Sequence, residues 1–479
     1  MNASGLPASS SLRRHLNALS VAALLAMVPL VFCFTSEGTW RVTHTRDDSA
    51  YSGHFYMAQA ASMSHGRLDV ERSSIWSECW FRDGRCYGYF GVTPSLLRLP
   101  VLGVLRWLRS PLAALYLAAA VLLGYFAAFR LLARGLLEFV PAGVPNRHVL
   151  VYFAIGALVL GPGGVLLFDA RPAVYEEASA WCIAFYLLAV ERVWAWYRTR
   201  RMRSLVVAIV CGVAAANARP TAVTACAVLG LAVAVLGWRT AGPLLRRERR
   251  RVIVAAACLS LLPLATSAGV FWLKFRTPFP DLTLNEQVPE AEFWRDILTI
   301  NGGKTRGLVF APTELVAYFR PDVLRWEPKW PYAAFAFPTA EILWVPPLRA
   351  GGAYVERAAS VSATMPLPWI VTFAGAFWLV WLGWRSPTLR EGDWILATGL
   401  LASAAAFITL TVTTVGITNR YLCDFFPASV VGMSLGHRAI LPGLARRPAL
   451  RTTVFVAALL LALFSVTVTV LLTTRVVFW

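Results

Sequence analysis

Charge is what this chain has least of. Only 15% of its 479 residues are charged and 57% are hydrophobic, and a water-soluble domain of that length could not clothe its surface with so few ionic groups. Acidic residues are the scarcer sign, 26 against 45 Lys and Arg, for a net charge of +19. That excess would suit nucleic acid if it formed a continuous patch. The basic residues instead fall in short runs between apolar stretches, RTRRMR at 198–203 and RRERRR at 246–251. This is the loop charge of a membrane protein, and nucleic-acid binding is set aside. Internal repeats, low-complexity tracts and paired cysteine motifs are missing as well. The 8 cysteines lie at irregular spacings, which excludes a zinc-type framework, and most sit in apolar runs where a small residue packs.

What the chain does have is apolar runs. About 20 such residues cross a bilayer, and the candidates are 16–34, 111–132, 149–168, 174–196, 204–218, 221–238, 252–273, 366–384, 394–414, 421–435 and 453–472. The expectation is an all-α polytopic membrane protein with about eleven transmembrane helices. Its parts are a cytoplasmic N-terminus (1–15), a seven-span module (16–273), a large loop (274–365) and a four-span module (366–479). The first run follows Arg13, Arg14 and His15 and precedes no small-x-small cleavage site, which reads as an uncleaved signal anchor.

The ambiguous stretch is 93–108, TPSLLRLPVLGVLRWL. If it crossed, the two strongest basic runs would lie outside. Laid along the interface as an amphipathic helix, it leaves all the basic loops and the N-terminus inside and the C-terminus outside. The long loops 35–110 and 274–365 then face away from the cytoplasm, and loops of that length usually carry function.

In the first loop, Tyr51, Phe55, Tyr56 and Met63 are spaced for one apolar stripe on a helix lying in the membrane surface, begun by Asp47 or Asp48 and ended by Gly66. Beyond it, Arg82-Asp83-Gly84-Arg85 is a turn signal between two short strands. Cys79 and Cys86 would face each other only in the register that leaves Phe81–Gly84 as the loop. In an oxidising compartment such a pair can close as a disulfide.

The order of these residues resembles the GT-C superfamily of integral-membrane glycosyltransferases, which use polyprenyl-phosphate-linked sugars, and is similar to that of the aminoarabinose transferase and protein O-mannosyltransferase group. The matching residues are Asp47-Asp48, the helix with His54-Phe55-Tyr56-Met57-Ala58, His65-Gly66-Arg67-Leu68-Asp69, Asp83-Gly84-Arg85-Cys86-Tyr87, and Tyr89-Phe90-Gly91-Val92-Thr93-Pro94 leading to Leu99-Pro100. Lys274-Phe275-Arg276-Thr277-Pro278 resembles a motif found after the seventh span, with Arg276 where that motif has glycine, and Asn419-Arg420-Tyr421 resembles the "RY" before a late helix. The resemblance covers about 40–280 closely and the remainder in outline.

It implies transfer of a sugar from a polyprenyl-phosphate donor to a glycan, lipid or protein acceptor at the outer face of the cytoplasmic membrane. Inverting transfer needs a base for the acceptor hydroxyl, and the resemblance assigns it to Asp47, four residues before Tyr51, with Asp48 beside it. A helix N-cap is the structural use of the same residue. The leaving phosphate calls for cations near helix ends. Arg420, Arg171, Lys274 and Arg276 qualify, with Tyr421 beside the first; snorkelling at the interface is the alternative. Asp169, Glu176 and Glu177 stand at the edge of the apolar slab, placed to orient sugar hydroxyls, to hold a divalent cation, or to pair with Arg171 or Arg420. His54 on the surface helix reads first as a solvated residue. The rival functions are a transporter or flippase of lipid-linked sugars, disfavoured by the lack of matching halves, and a surface-polysaccharide polymerase or ligase.

Overall fold

The computed structural model describes residues 10–42, 54–75, 78–105, 112–139, 144–164, 172–240, 246–280, 301–302, 304–335, 358–383, 391–414, 416–445 and 447–478. The chain is almost wholly helical. In order come α1 (Ser10–Thr35), α2 (Phe55–Met63), a hairpin of β1 (Cys79–Arg82) and β2 (Arg85–Gly88), α3 (Thr93–Leu105), α4 (Ala113–Phe139), α5 (Asn146–Leu160), α6 (Val174–Thr199), α7 (Met202–Ala216), α8 (Thr221–Thr240) and α9 (Arg246–Phe275). The second part holds α10 (Ala311–Phe319), β3 (Leu324–Trp326) with β4 (Ala333–Phe335), α11 (Pro366–Phe377), α12 (Glu391–Val412), a 3-10 stretch (Asn419–Phe425), α13 (Phe426–Ala445) and α14 (Pro448–Phe478).

Among the described residues, 8 helices are long and apolar enough to cross a membrane: α1, α4, α5, α6, α8, α9, α12 and α14. A helix also stands at each of the other three expected spans. However, α7 has only 15 residues and α11 only 12 before it loosens into a π-helical turn; α13 is continuous over 20 residues and carries His437 and Arg438 in its second half. The α3 segment is helical over the 13 residues Thr93–Leu105; the rest of the expected interfacial stretch lies outside the described residues.

Buried and exposed apolar residues divide as a bilayer would divide them. Helix α6 is buried along nearly its whole length, with Trp194 and Trp196 among the largest enclosed side chains. It packs between α4 and α7. By contrast, α1, α9 and α14 expose Leu25, Leu261 and Leu460, surface that only lipid would cover at low cost. In the second part α8 packs on α12 and α11 on α13.

The first loop differs from its sequence reading in two ways. Helix α2 begins at Phe55, with His54 as its N-cap residue, so neither Asp47 nor Asp48 starts it. Gly66 lies beyond its end, in a left-handed turn with φ of 73°. The Phe55 and Tyr56 rings do not lie against lipid; they are fully buried in a cluster with Val70, Ile75, Phe90 and Val174. The hairpin register is also shifted: Cys79 lies opposite Gly88 and Phe81 opposite Cys86, leaving Asp83-Gly84 as a two-residue turn. Both turn residues have positive φ, 51° and 72°, the mark of a tight hairpin. Cys79 and Cys86 are therefore diagonal neighbours and not directly opposed, and their Cα atoms, 5.4 Å apart, are close enough for the disulfide that joins them.

Candidate functional site

The segment between the hairpin and α3 is pinned from three directions. Lys274, in the last turn of α9, is fully buried, and its Nζ donates to the carbonyls of Gly88 (2.9 Å) and Phe90 (2.6 Å). The last carbonyls of α7 accept from the turn that follows, the Ala218 N–H on the Ala214 carbonyl at 3.0 Å among them, and each has a second lone pair to offer. Thr93 supplies two donors: its N–H reaches the Asn217 carbonyl at 2.9 Å and its hydroxyl reaches that of Ala214 at 2.7 Å. The approach is so close that a Cβ at Gly91 would stand 1.9 Å from the Asn217 oxygen; only glycine fits. Finally, Arg98 of α3 makes two parallel bonds to Glu177 of α6, 2.5 and 2.9 Å long. Both partners are buried, and the Tyr116 ring covers the guanidinium at 4.0 Å. Tyr56 completes this layer by donating to the Val174 carbonyl at 3.0 Å. Burial first, then the Glu177 carboxylate, pushes its phenol well above the ordinary value, so it stays a neutral hydroxyl.

Behind this pinned segment is a cavity of about 370 Å³. Its apolar walls come from α9 (Leu264, Ala268, Phe271) and α12 (Leu410), and an aromatic row, Trp80, Tyr89, Phe90 and Tyr175, forms another side. The rings are in mutual contact: Trp80 and Tyr89 lie 5.1 Å apart, Tyr89 and Phe90 4.3 Å, Phe90 and Tyr175 4.9 Å. Three guanidinium groups line the space, those of Arg219, Arg306 and Arg420, and no carboxylate of a described residue does.

Each arginine is delivered by a different element. Arg420 comes from the 3-10 stretch and lies over the Tyr175 ring at 3.9 Å. Arg219 sits in the α7–α8 turn, where its Nη1 donates to Asp424 Oδ1 at 2.6 Å. Arg306 arrives from the large loop through an antiparallel bridge to Thr414, reinforced by the Gly307 N–H on the Thr413 carbonyl at 2.8 Å. Tyr421 stands near two of them, its ring centre 5.3 Å from Arg219 and 5.9 Å from Arg420. Cations set among apolar and aromatic walls suit an anion that carries a hydrophobic tail.

Of the residues singled out in the sequence, Arg420 and Tyr421 are brought together at the cavity. Asp47, Asp48, Asp169 and Arg171 lie outside the described residues. Lys274 and Arg276 do not line the cavity. The expected phosphate contact at Lys274 is corrected, since that ammonium is enclosed and bound to two carbonyls; Arg276 is exposed, at a left-handed bend with φ of 56°. His54 is exposed at the start of α2. Glu177 is occupied by Arg98, which leaves it unsuited to sugar or metal, and Glu176 is buried beside it in the first turn of α6, where the helix dipole favours negative charge. Among the described residues no group of three or more His, Cys, Asp or Glu is placed to hold a metal ion.

Sequence reasoning missed Arg98, Arg219, Arg306 and Asp424. The signal for Asp424 was available, as a carboxylate inside the apolar run 421–435 is costly unless paired.

No known family model matches this chain, and neither does any curated protein. Among solved structures it is similar to the oligosaccharyltransferase of Archaeoglobus fulgidus in its apo form, with 14% identity and a TM-score of 0.47 over 96% of this chain and 56% of that one. It is likewise similar to the archaeal oligosaccharyltransferase AglB of the same organism in complex with an inhibitory peptide and a dolichol-phosphate, with 14% identity and a TM-score of 0.46 over 95% of this chain and 55% of the other. The chain thus spans little more than half the length of either.

Proposed function

We propose that the chain is a GT-C-type glycosyltransferase that moves a hexose or pentose from a polyprenyl-phosphate carrier to a cell-envelope glycan, lipid or protein on the outer face of the cytoplasmic membrane. The observation that carries this reading is the cavity, with Arg420 and Tyr421 at a wall that is otherwise largely apolar and aromatic. A prenyl chain gains by leaving water along Leu264, Ala268 and Phe271, while a guanidinium meets the phosphate. The motif resemblance from Asp47 to Pro100 supports the same donor class.

In the proposed reaction Asp47 accepts the proton of the acceptor hydroxyl as that oxygen attacks the anomeric carbon. The bond from that carbon to the phosphate oxygen breaks, and the electron pair leaves with the phosphate, whose charge Arg420 offsets. Asp48 is the neighbouring carboxylate that could take the base's place.

The test is transfer of labelled sugar from synthetic polyprenyl-phosphate hexoses and pentoses to membrane acceptors by purified protein in lipid nanodiscs. Wild type should transfer at least one of them. Asp47→Asn should fold normally and transfer at least about a hundredfold more slowly. Near-normal transfer by Asp47→Asn together with an inactive Asp48→Asn would move the base one residue along. Donors that cross the bilayer intact and are never cleaved would sink the enzyme reading in favour of transport.

A further inference from the structure

Arg219 is a cation that the proposed reaction leaves without a task. It is costly to keep, because a half-buried guanidinium at membrane depth needs compensation. That compensation is one-sided. Nη1 donates to Asp424 Oδ1 at 2.6 Å, to Ser179 Oγ at 3.2 Å and to Cys423 Sγ at 3.1 Å. Nε and Nη2 make no hydrogen bond to any described residue, and the side chain lines the cavity. A guanidinium is rigid and planar, so fixing Nη1 also fixes the opposite edge, formed by Nε and Nη2. That edge meets an oxyanion with two parallel bonds.

The anchor is itself held. Asp424 is fully buried, and its second oxygen accepts from the Thr411 hydroxyl. A second feature points the same way. Helix α8 begins at Thr221, two residues after Arg219, and Pro220 and Thr221 line the same cavity. Two first-turn N–H groups of this 20-residue helix, those of Ala222 and Val223, are taken by the Arg219 and Pro220 carbonyls, so the helix start offers an anion its dipole field.

We infer that Arg219 and the start of α8 form an inner anion subsite that takes two oxygens of a phosphate monoester or diester, with Asp424 as the residue that positions the guanidinium. That the phosphate belongs to a lipid carrier rests on the function proposed above; free phosphate shares the chemistry.

The experiment measures binding of geranylgeranyl phosphate, geranylgeraniol and inorganic phosphate to the full chain in nanodiscs. Wild type should prefer geranylgeranyl phosphate to the alcohol. Arg219→Lys, which keeps the charge and loses the fork, should weaken the phosphate ligand about tenfold and leave the alcohol unchanged. Asp424→Asn adds a unit of positive charge at the site, so a purely electrostatic role predicts tighter binding; a positioning role predicts weaker binding, with partial rescue by Asp424→Glu. If Asp424→Asn does not fold, the neutral double variant Arg219→Gln/Asp424→Asn takes its place and should lose the preference for phosphate over alcohol. Arg219→Lys binding within about twofold of wild type, tighter binding by Asp424→Asn, or a double variant that keeps the preference would overturn the subsite. Inorganic phosphate bound as tightly as the prenyl phosphate, and lost in Arg219→Lys, would keep the subsite and overturn the lipid carrier.

Discussion

Arg98, buried, and Arg219, half-buried, are both paired with a carboxylate from another helix or turn, yet they are finished differently. Arg98 places Nη1 and Nη2 on both oxygens of Glu177, gives a further bond to the Pro94 carbonyl at 3.1 Å and is covered by the Tyr116 ring. None of its side chain is exposed, whereas Arg219 retains 16% beside a hollow and uses a single nitrogen for its anchors. A charge closed on all sides can only hold elements together, here α3 against α6. A charge closed on one side is oriented by the protein and left open to a ligand. Residue type does not separate the two cases, and neither does complete hydrogen bonding, since Arg98 Nε has no partner among the described residues; enclosure against a place beside a cavity does.

The contrast breaks most clearly at Glu177. Replacing it by Ala leaves Arg98 buried without its counter-ion, a loss of about 3–5 kcal/mol, and the thermal unfolding midpoint of the purified protein should fall by far more than for any cavity variant. An unchanged midpoint would mean that this pair does not hold α3. Next is Gly91→Ala, where the new methyl meets the Asn217 carbonyl oxygen; relief of that clash should cost roughly 1–3 kcal/mol, read as a smaller drop in the same midpoint. If Gly91→Ala melts like wild type, the docking of this segment on α7 is looser than described. Arg420→Ala belongs to the other side of the comparison. It should raise the KM for donor about tenfold, equivalent to about 1.4 kcal/mol, while turnover at high donor persists and the midpoint stays within about 0.5 kcal/mol of wild type. A loss of stability without a change in KM would put Arg420 with Arg98.

The helices were readable because apolar run length reports burial in lipid or protein directly, and each of the eleven expected runs coincides with a helix. Run length also marked α7 as short, since the expected run 204–218 and the helix Met202–Ala216 are equally long, at 15 residues. Arg420 and Tyr421, singled out by a local motif, both line the cavity. Lys274 was misread because a cation just past an apolar run looks like a headgroup anchor, and nothing local shows that two carbonyls from residues 88 and 90 will close over it. Arg219 was invisible for the converse reason. Within Ala218-Arg219-Pro220 it looks like an ordinary turn residue, and its meaning depends on Asp424, more than 200 residues later (a separation of 205). The two-residue hairpin turn is written in the sequence as Asp83-Gly84, a stronger signal than the spacing of Cys79 and Cys86, which a diagonal disulfide also satisfies.

The shortness of α7 has a consequence for the surrounding lipid. Arg200, Arg201 and Arg203 are exposed at its start and tie that end to a membrane surface. At about 1.5 Å per residue the helix then rises only some 22 Å, against a hydrocarbon slab of roughly 30 Å. The turn that carries Arg219 is accordingly sunk below the far surface, and the bilayer beside it must thin or the protein must supply the missing wall. Thr93, Gly91 and the start of α3 supply part of that wall. The cavity is thereby held below the level of that surface, so the local thickness of the membrane is itself a component of the cavity wall.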